Sequence, residues 1–241
     1  MELWLVDLNL QPGQRNGRIQ EVEGLLGSSS IVACMGDKLT LGSFSLAVPI
    51  WSRLLSSVTT ADEGLERVRR LKPDLVFLTE DLEQGYGIAL VKAVKALDAG
   101  TRTLIFLRRE NAAVVNEALE AGADGVMFIS SIGSKRGDFF MALQCTSAGG
   151  VYYPESIREL ARKASPDDER AFRLIQDLSE RERDVLTALT EGLSNREIAD
   201  QLIVSGETVK SHVSAVIGKL GVRDRTQAAV FAIRHGGSLI P

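Results

Sequence analysis

Apolar residues fall into short, β-rich runs separated by amphipathic stretches as far as about Tyr153, and beyond it the spacing is helical throughout. The short runs predict strands over 31–35, 54–59, 75–79, 103–107 and 125–129. Between them the spacing predicts helices over 63–71, 88–96, 112–121 and 137–147. A strand followed by a helix, repeated about five times, implies an α/β unit: a doubly wound, five-stranded parallel sheet with right-handed crossovers. Ahead of it, 2–8 reads as a strand, Pro12 and Gly13 as a turn, and 18–26 as a helix with Ile19, Val22, Leu25 and Leu26 on one face. This extension is expected either to pack as an extra helix on the sheet or to serve as a dimerisation arm.

From Tyr153, Pro154, Ser165, Pro166 and the charge run 167–170 have the composition of an exposed connector with a helical end. The chain therefore divides into an extension (1–30), an α/β domain (31–152), a connector (153–176) and an all-α four-helix domain (177–241).

The last segment is read from its caps. Ser179 with Glu182, and Ser194 with Glu197, each have S-x-x-E spacing, in which hydroxyl and carboxylate satisfy orphan amides at a helix start. A third helix begins at Ser205 after the turn Ile203-Val204, and a fourth at Asp224, three residues ahead of Gln227. On the third, Val209, Val213, Val216 and Leu220 recur at helical spacing and face a core, which turns Lys210, Ser211, Ser214 and Gly218 outward. That small, polar, cationic face suits a DNA major groove. Lys210 can donate to guanine O6 and N7, and Ser211 and Ser214 can read either base edge or a water. Asn195, Arg196, Ser205, Thr208, Lys219 and Arg225 lie near helix ends, where side chains and amides meet phosphates. By spacing alone the unit also fits a protein-interaction module.

Composition narrows the field. With 241 residues, 44% hydrophobic and 25% charged, the chain suffices for two ordinary domains with separate cores. Its longest apolar runs, such as 126–129, fall far short of the roughly 20 residues of a membrane span. The amino terminus lacks a basic-then-apolar leader pattern, so no membrane partner and a cytoplasmic location are expected. A net charge of −4 gives no global basic footprint, so DNA binding rests on a local patch and on pairing two weak sites. Cys34 and Cys145 sit in apolar segments without metal-ligand spacing and are expected as buried, reduced thiols, with redox control at Cys34 as the alternative. No phosphate loop, dinucleotide fingerprint or nucleophile-base set is present, so neither an enzyme nor any cofactor, metal or catalytic residue is expected.

The helical segment resembles the LuxR/NarL/FixJ family of helix-turn-helix domains. The pattern L-[ST]-x-R-E-x-[DE]-V-L is met by Leu178, Ser179, Arg181, Glu182, Asp184, Val185 and Leu186. G-x-[ST]-N-x-E-I-A is met by Gly192, Ser194, Asn195, Glu197, Ile198 and Ala199. S-x-x-T-V-K-x-H is met by Ser205, Thr208, Val209, Lys210 and His212, with Lys219 and Leu220 closing the motif. The resemblance covers about a quarter of the chain. It implies that 208–219 is the recognition helix, with Lys210, Ser211 and Ser214 toward bases, and that the last helix pairs two domains on DNA. His212, beside the buried stripe, is expected to be structural or phosphate-facing rather than a titrating switch.

The α/β domain in front resembles the receiver of two-component response regulators, a flavodoxin-like fold. Pro73-Asp74-Leu75-Val76-Phe77-Leu78 resembles the third strand, Gly87-Ile88 the next helix start, and Gly122-Ala123-Asp124-Gly125 the turn into the fifth strand. Receivers carry a phosphoacceptor aspartate after strand three, an acidic Mg²⁺-binding pair after strand one, a hydroxyl after strand four and a lysine after strand five. Here Thr79 holds the acceptor position, and its neutral hydroxyl lacks the nucleophilicity and cation affinity of a carboxylate. Only Asp37 remains after strand one, Leu107-Arg108-Arg109 replaces the hydroxyl, and Phe128-Ile129 the lysine. The expectation is a dimeric, sequence-specific transcriptional regulator whose pseudo-receiver controls dimerisation or activity without phosphorylation. Its partners would be double-stranded DNA, a second copy, and RNA polymerase or a regulatory protein. The alternatives are a conventional regulator phosphorylated at Asp81, which needs a two-residue shift of the motif, and an interaction adaptor. Arg108 and Arg109 are also candidates for capturing an anionic ligand.

Overall fold

A computed structural model describes residues 12–45, 48–132, 138–163 and 169–236. Strands β1 (Ile31–Cys34), β2 (Leu54–Val58), β3 (Leu75–Thr79), β4 (Arg102–Leu107) and β5 (Gly125–Phe128) form one parallel sheet in the order β2-β1-β3-β4-β5. β1, β3 and β5 are buried along their whole length, because helices cover both faces, which explains why they read as unbroken apolar runs. β1 and β3 lie side by side, Cys34 opposite Leu78, so their carboxyl ends flank the crevice where the strand order reverses.

Helices α1 (Pro12–Leu26), α2 (Lys38–Ser45) and α3 (Val48–Trp51) precede β2; α4 (Ala61–Leu71), α5 (Gly87–Leu97), α6 (Ala112–Ala121) and α7 (Asp138–Ser147) follow in turn. On one face, Val22 and Leu26 of α1, Phe44 of α2 and Phe139 of α7 close over Met35, Phe77 and Phe106. On the other, α4, α5 and α6 cover Val76, Leu78 and Ile105. Thr60 caps α4 by accepting from the Glu63 amide, and Asn111 caps α6 by accepting from that of Val114.

Several expectations change. Pro12 and Gly13 open α1 instead of forming a turn, since proline's fixed φ suits a first helical position. The extension packs as a helix against α3 and α7, while the strand read at 2–8 lies outside the described residues. α2 was not expected, because its KLTLGSFS sequence contains weak helix formers; Asp37 starts it by accepting from the Thr40 amide at 2.7 Å. The supposed exposed connector contains α8 (Glu155–Lys163) and α9 (Glu169–Gln176), and α8 buries Ile157 and Ala161.

Four capped helices complete the chain: α10 (Glu180–Thr190), α11 (Asn195–Leu202), α12 (Gly206–Leu220) and α13 (Arg225–His235). Both capping boxes form, and Ser205 and Asp224 cap the last two helices. The cores of the two parts are not separate. One buried cluster runs from Leu78 and Leu119 through Tyr153 and Ile157 to Leu186, Val213 and Ile233, because α8 packs on both α6 and α13.

Candidate nucleic-acid interface

α12 has the two faces its spacing demands. Val209, Val213, Val216 and Leu220 are buried, whereas Thr208, Lys210, Ser211, Ser214 and Gly218 are exposed. Lys210 Nζ pairs with Glu207 Oε1 at 2.7 Å, both side chains standing in solvent. Such exposed pairs are worth at most about 1 kcal/mol, so the ammonium is readily released to another acceptor. Ser211 Oγ donates to the Glu207 carbonyl at 3.0 Å, leaving its lone pairs outward. At the start of α12, Ser205 Oγ accepts from the Thr208 amide at 3.1 Å and lies 2.8 Å from Thr208 Oγ1. Exposed Arg196 occupies the first turn of α11, where the helix dipole is positive. His212 is half-buried beside the apolar stripe.

Three of the expected phosphate contacts are tied to residues of other elements. Lys219 Nζ reaches Glu182 Oε2 at 2.6 Å, tying α12 to the capping box of α10. Lys219 and the Ser179 amide hold the Glu182 carboxyl below its usual range. Half-buried Arg225 donates to Asn195 Oδ1 at 3.1 Å and to the Leu193 carbonyl at 2.5 Å, clamping α13 to the start of α11. Desolvation, with Arg102 nearby, lowers the pKa of this guanidinium. Spacing could not show these bonds, since they join positions 37 and 30 residues apart.

The α/β domain grips α13. Arg234 pairs with Glu120 at 3.2 Å and donates to the Asn116 carbonyl at 3.0 Å, both on α6. Gln227 Nε2 donates to the Leu119 carbonyl at 3.0 Å, and Arg223 to that of Glu120 at 3.3 Å. Arg158 of α8 reaches the Thr190 carbonyl at 2.7 Å. Gly150 lies so close to Gly192 that a Cβ there would come within 1.7 Å of its carbonyl oxygen. The outward side chains of α12 remain exposed throughout.

At the carboxyl end of the sheet, Thr79 closes β3. Its Oγ1 accepts from the Gly36 amide at 2.9 Å and donates to the Asp81 carbonyl at 2.8 Å. Glu80 is fully buried; it accepts from the Arg108 and Arg109 amides at 2.7 and 3.0 Å and from the Arg109 side chain. Arg109, though partly exposed, is therefore occupied in structure, while Arg108 stands 3.6 Å from the exposed carboxylate of Asp81. Among the described residues, no group of three or more His, Cys, Asp or Glu converges as a metal site. Cys34 is fully buried and its Sγ donates to the Thr60 carbonyl at 3.3 Å. Burial, reinforced by Glu63, pushes its thiol up to about 12, the character of an inert thiol and against the redox alternative.

The luxR family of bacterial regulatory proteins matches residues 176–232. The transcriptional regulatory protein LnrK of Bacillus subtilis is 31% identical over 195 residues, 77% of this chain and 87% of LnrK. The response regulator protein VraR of Staphylococcus aureus is 30% identical over 174 residues, 72% of this chain and 80% of VraR. A solved structure of two RcsB dimers bound to two parallel DNAs, 18% identical, covers 85% of this chain and 98% of RcsB with a TM-score of 0.51, a likeness of fold.

Proposed function

Because the chain belongs to the LuxR-type response regulators, a family of DNA-binding transcriptional regulators, we propose that it binds specific DNA as a dimer without prior phosphorylation. The observation that carries this reading is Thr79. The residue matched to the receiver's acceptor aspartate is a neutral hydroxyl, already engaged by Gly36 and the Asp81 carbonyl. A group that neither attacks phosphorus nor holds Mg²⁺ leaves the strand end without phosphoryl chemistry.

In this reading residues 31–152 are a pseudo-receiver and 177–241 the DNA-binding domain, with the helical segment 153–176 joining them. Lys210, Ser211 and Ser214 read bases; Arg196, Ser205 and Thr208 meet phosphates from the exposed rim. Asn195, Lys219 and Arg225 reach phosphates from the clamps that hold their helices. RcsB was solved as dimers on DNA, and the resemblance assigns pairing to the last helix, here α13. The pseudo-receiver controls pairing by holding α13 through Arg234 and Gln227 while leaving α12 free. The protein acts in the cytoplasm, where RNA polymerase or a regulatory protein completes the response. Among the described residues no helix is long and apolar enough to cross a membrane.

Phosphorylation at Asp81 is the competing reading, favoured by that carboxylate's exposure beside Arg108. Intact-mass measurement after incubation with acetyl phosphate and Mg²⁺ separates the two. The proposal expects no phosphoryl adduct; a stoichiometric adduct lost in Asp81→Asn would replace it with the conventional mechanism.

A further inference from the structure

Beneath the end of β3 the fold encloses a cavity of about 200 Å³. Its lining includes the buried Met35, Phe44, Phe106 and Phe139, half-buried Ile129 and Ile132, and, at its exposed mouth, Asp37, Asp81 and Arg108. The wall is firm: Phe106 and Phe139 stack at 6.1 Å, and Phe44 meets Phe139 edge-on at 6.5 Å. Ile129, which lines it, stands where the receiver motif has lysine, and Thr79 where it has the acceptor. Two positions at which the chain departs from the receiver motif thus border this apolar space. An apolar cavity of about 150 Å³ holds benzene, so this one accommodates a single ring with a short side chain.

The polar groups at the mouth are mostly acceptors. Thr79 donates its proton to the Asp81 carbonyl and has only a lone pair to offer. Among the described residues that line it, two carboxylates stand against one guanidinium, and Arg108 already faces Asp81. A bound acid would compete with Asp81 for Arg108 and be repelled by Asp37, whereas a hydroxyl or ammonium group finds free carboxylate oxygens.

We infer that this cavity binds a small molecule of single-ring size whose polar end donates hydrogen bonds, an alcohol or amine and not an acid. The inference rests on the proposed reading to the extent that one strand end does not serve both ligand and phosphoryl group. Its test uses the unmodified full-length chain, with no phosphoryl donor, so its failure is distinct from the appearance of a phosphoryl adduct. 2-Phenylethanol, 2-phenylethylamine and phenylacetate present one ring with three polar ends. Titration followed by the methyl resonances of ¹³C-methionine-labelled protein is expected to shift Met35, in the wall, and not exposed Met141. The alcohol and amine should bind at least tenfold more tightly than the acid. Ile132→Trp, which fills the cavity from its half-buried edge, should weaken both at least tenfold. An unmoved Met35 signal with all three compounds, or phenylacetate binding as tightly as the others, would overturn the inference.

Discussion

In the proposed reading, Lys210 is the side chain on which sequence-specific binding turns. Its neighbours Ser211 and Ser214 are small, its only ion pair, with Glu207, is exposed, and a bidentate contact to a base is worth about 1–3 kcal/mol. Lys210→Ala should weaken specific DNA by that amount in an anisotropy titration and leave non-specific DNA nearly unchanged; equal losses on both would reassign Lys210 to phosphates. Lys219 behaves differently, because its partner is a nearly buried carboxylate. Glu182 has a folded pKa below its unfolded value of about 4.3. Its contribution to stability is therefore present above that value and lost as pH falls through the folded pKa. Melting curves of Lys219→Ala should show a loss of about 1 kcal/mol at neutral pH that shrinks below about pH 4. A loss independent of pH would mean that the lysine acts through packing. Ile203 has φ of 56° and is 91% exposed, a β-branched residue held in the left-handed region with little burial in return. Ile203→Asn should therefore raise stability by about 0.5–1 kcal/mol, read as an increased melting temperature.

Among the elements, strands were the most legible, since burial on both faces makes β1, β3 and β5 bounded apolar runs, and all five lie within about a residue of their expected ends. The helices of the carboxy-terminal part were equally clear, because their capping residues are local signals that need no tertiary context. α8 was hidden by Pro154 and the charges around it, although Ile157, Leu160 and Ala161 already carry a helical stripe. α2 has no such signal: Leu39 is exposed while Leu41 and Phe44 are buried, and its helix depends on the packing of Phe44 against Phe77. The exposure of Lys210, Ser211 and Ser214 followed from the period of α12 alone. The clamps on Lys219 and Arg225 did not, because each depends on how distant helices meet, and the cavity was illegible because widely separated segments assemble it.

For the whole molecule, the decisive feature is one buried core running across both parts. It implies that α13 is released only at the expense of contacts between α6 and α13. Arg234→Ala removes the pair with Glu120 and the bond to the Asn116 carbonyl. In sedimentation experiments this variant should shift the chain toward dimer by a few-fold; an unchanged equilibrium would mean that α13 is not the controlled surface. The hydrogen bonds from Arg109 to the Tyr86 hydroxyl at 3.1 Å and from Tyr86 to Glu117 of α6 at 2.9 Å connect the sheet end to that same grip. In the proposed reading this regulator needs no phosphate. The most direct test is anisotropy binding of the unmodified full-length protein to its specific DNA, with and without acetyl phosphate and Mg²⁺, beside Asp81→Asn. One affinity is expected in all three cases. Binding that appears only after the phosphoryl donor is added, and is lost in Asp81→Asn, would contradict it.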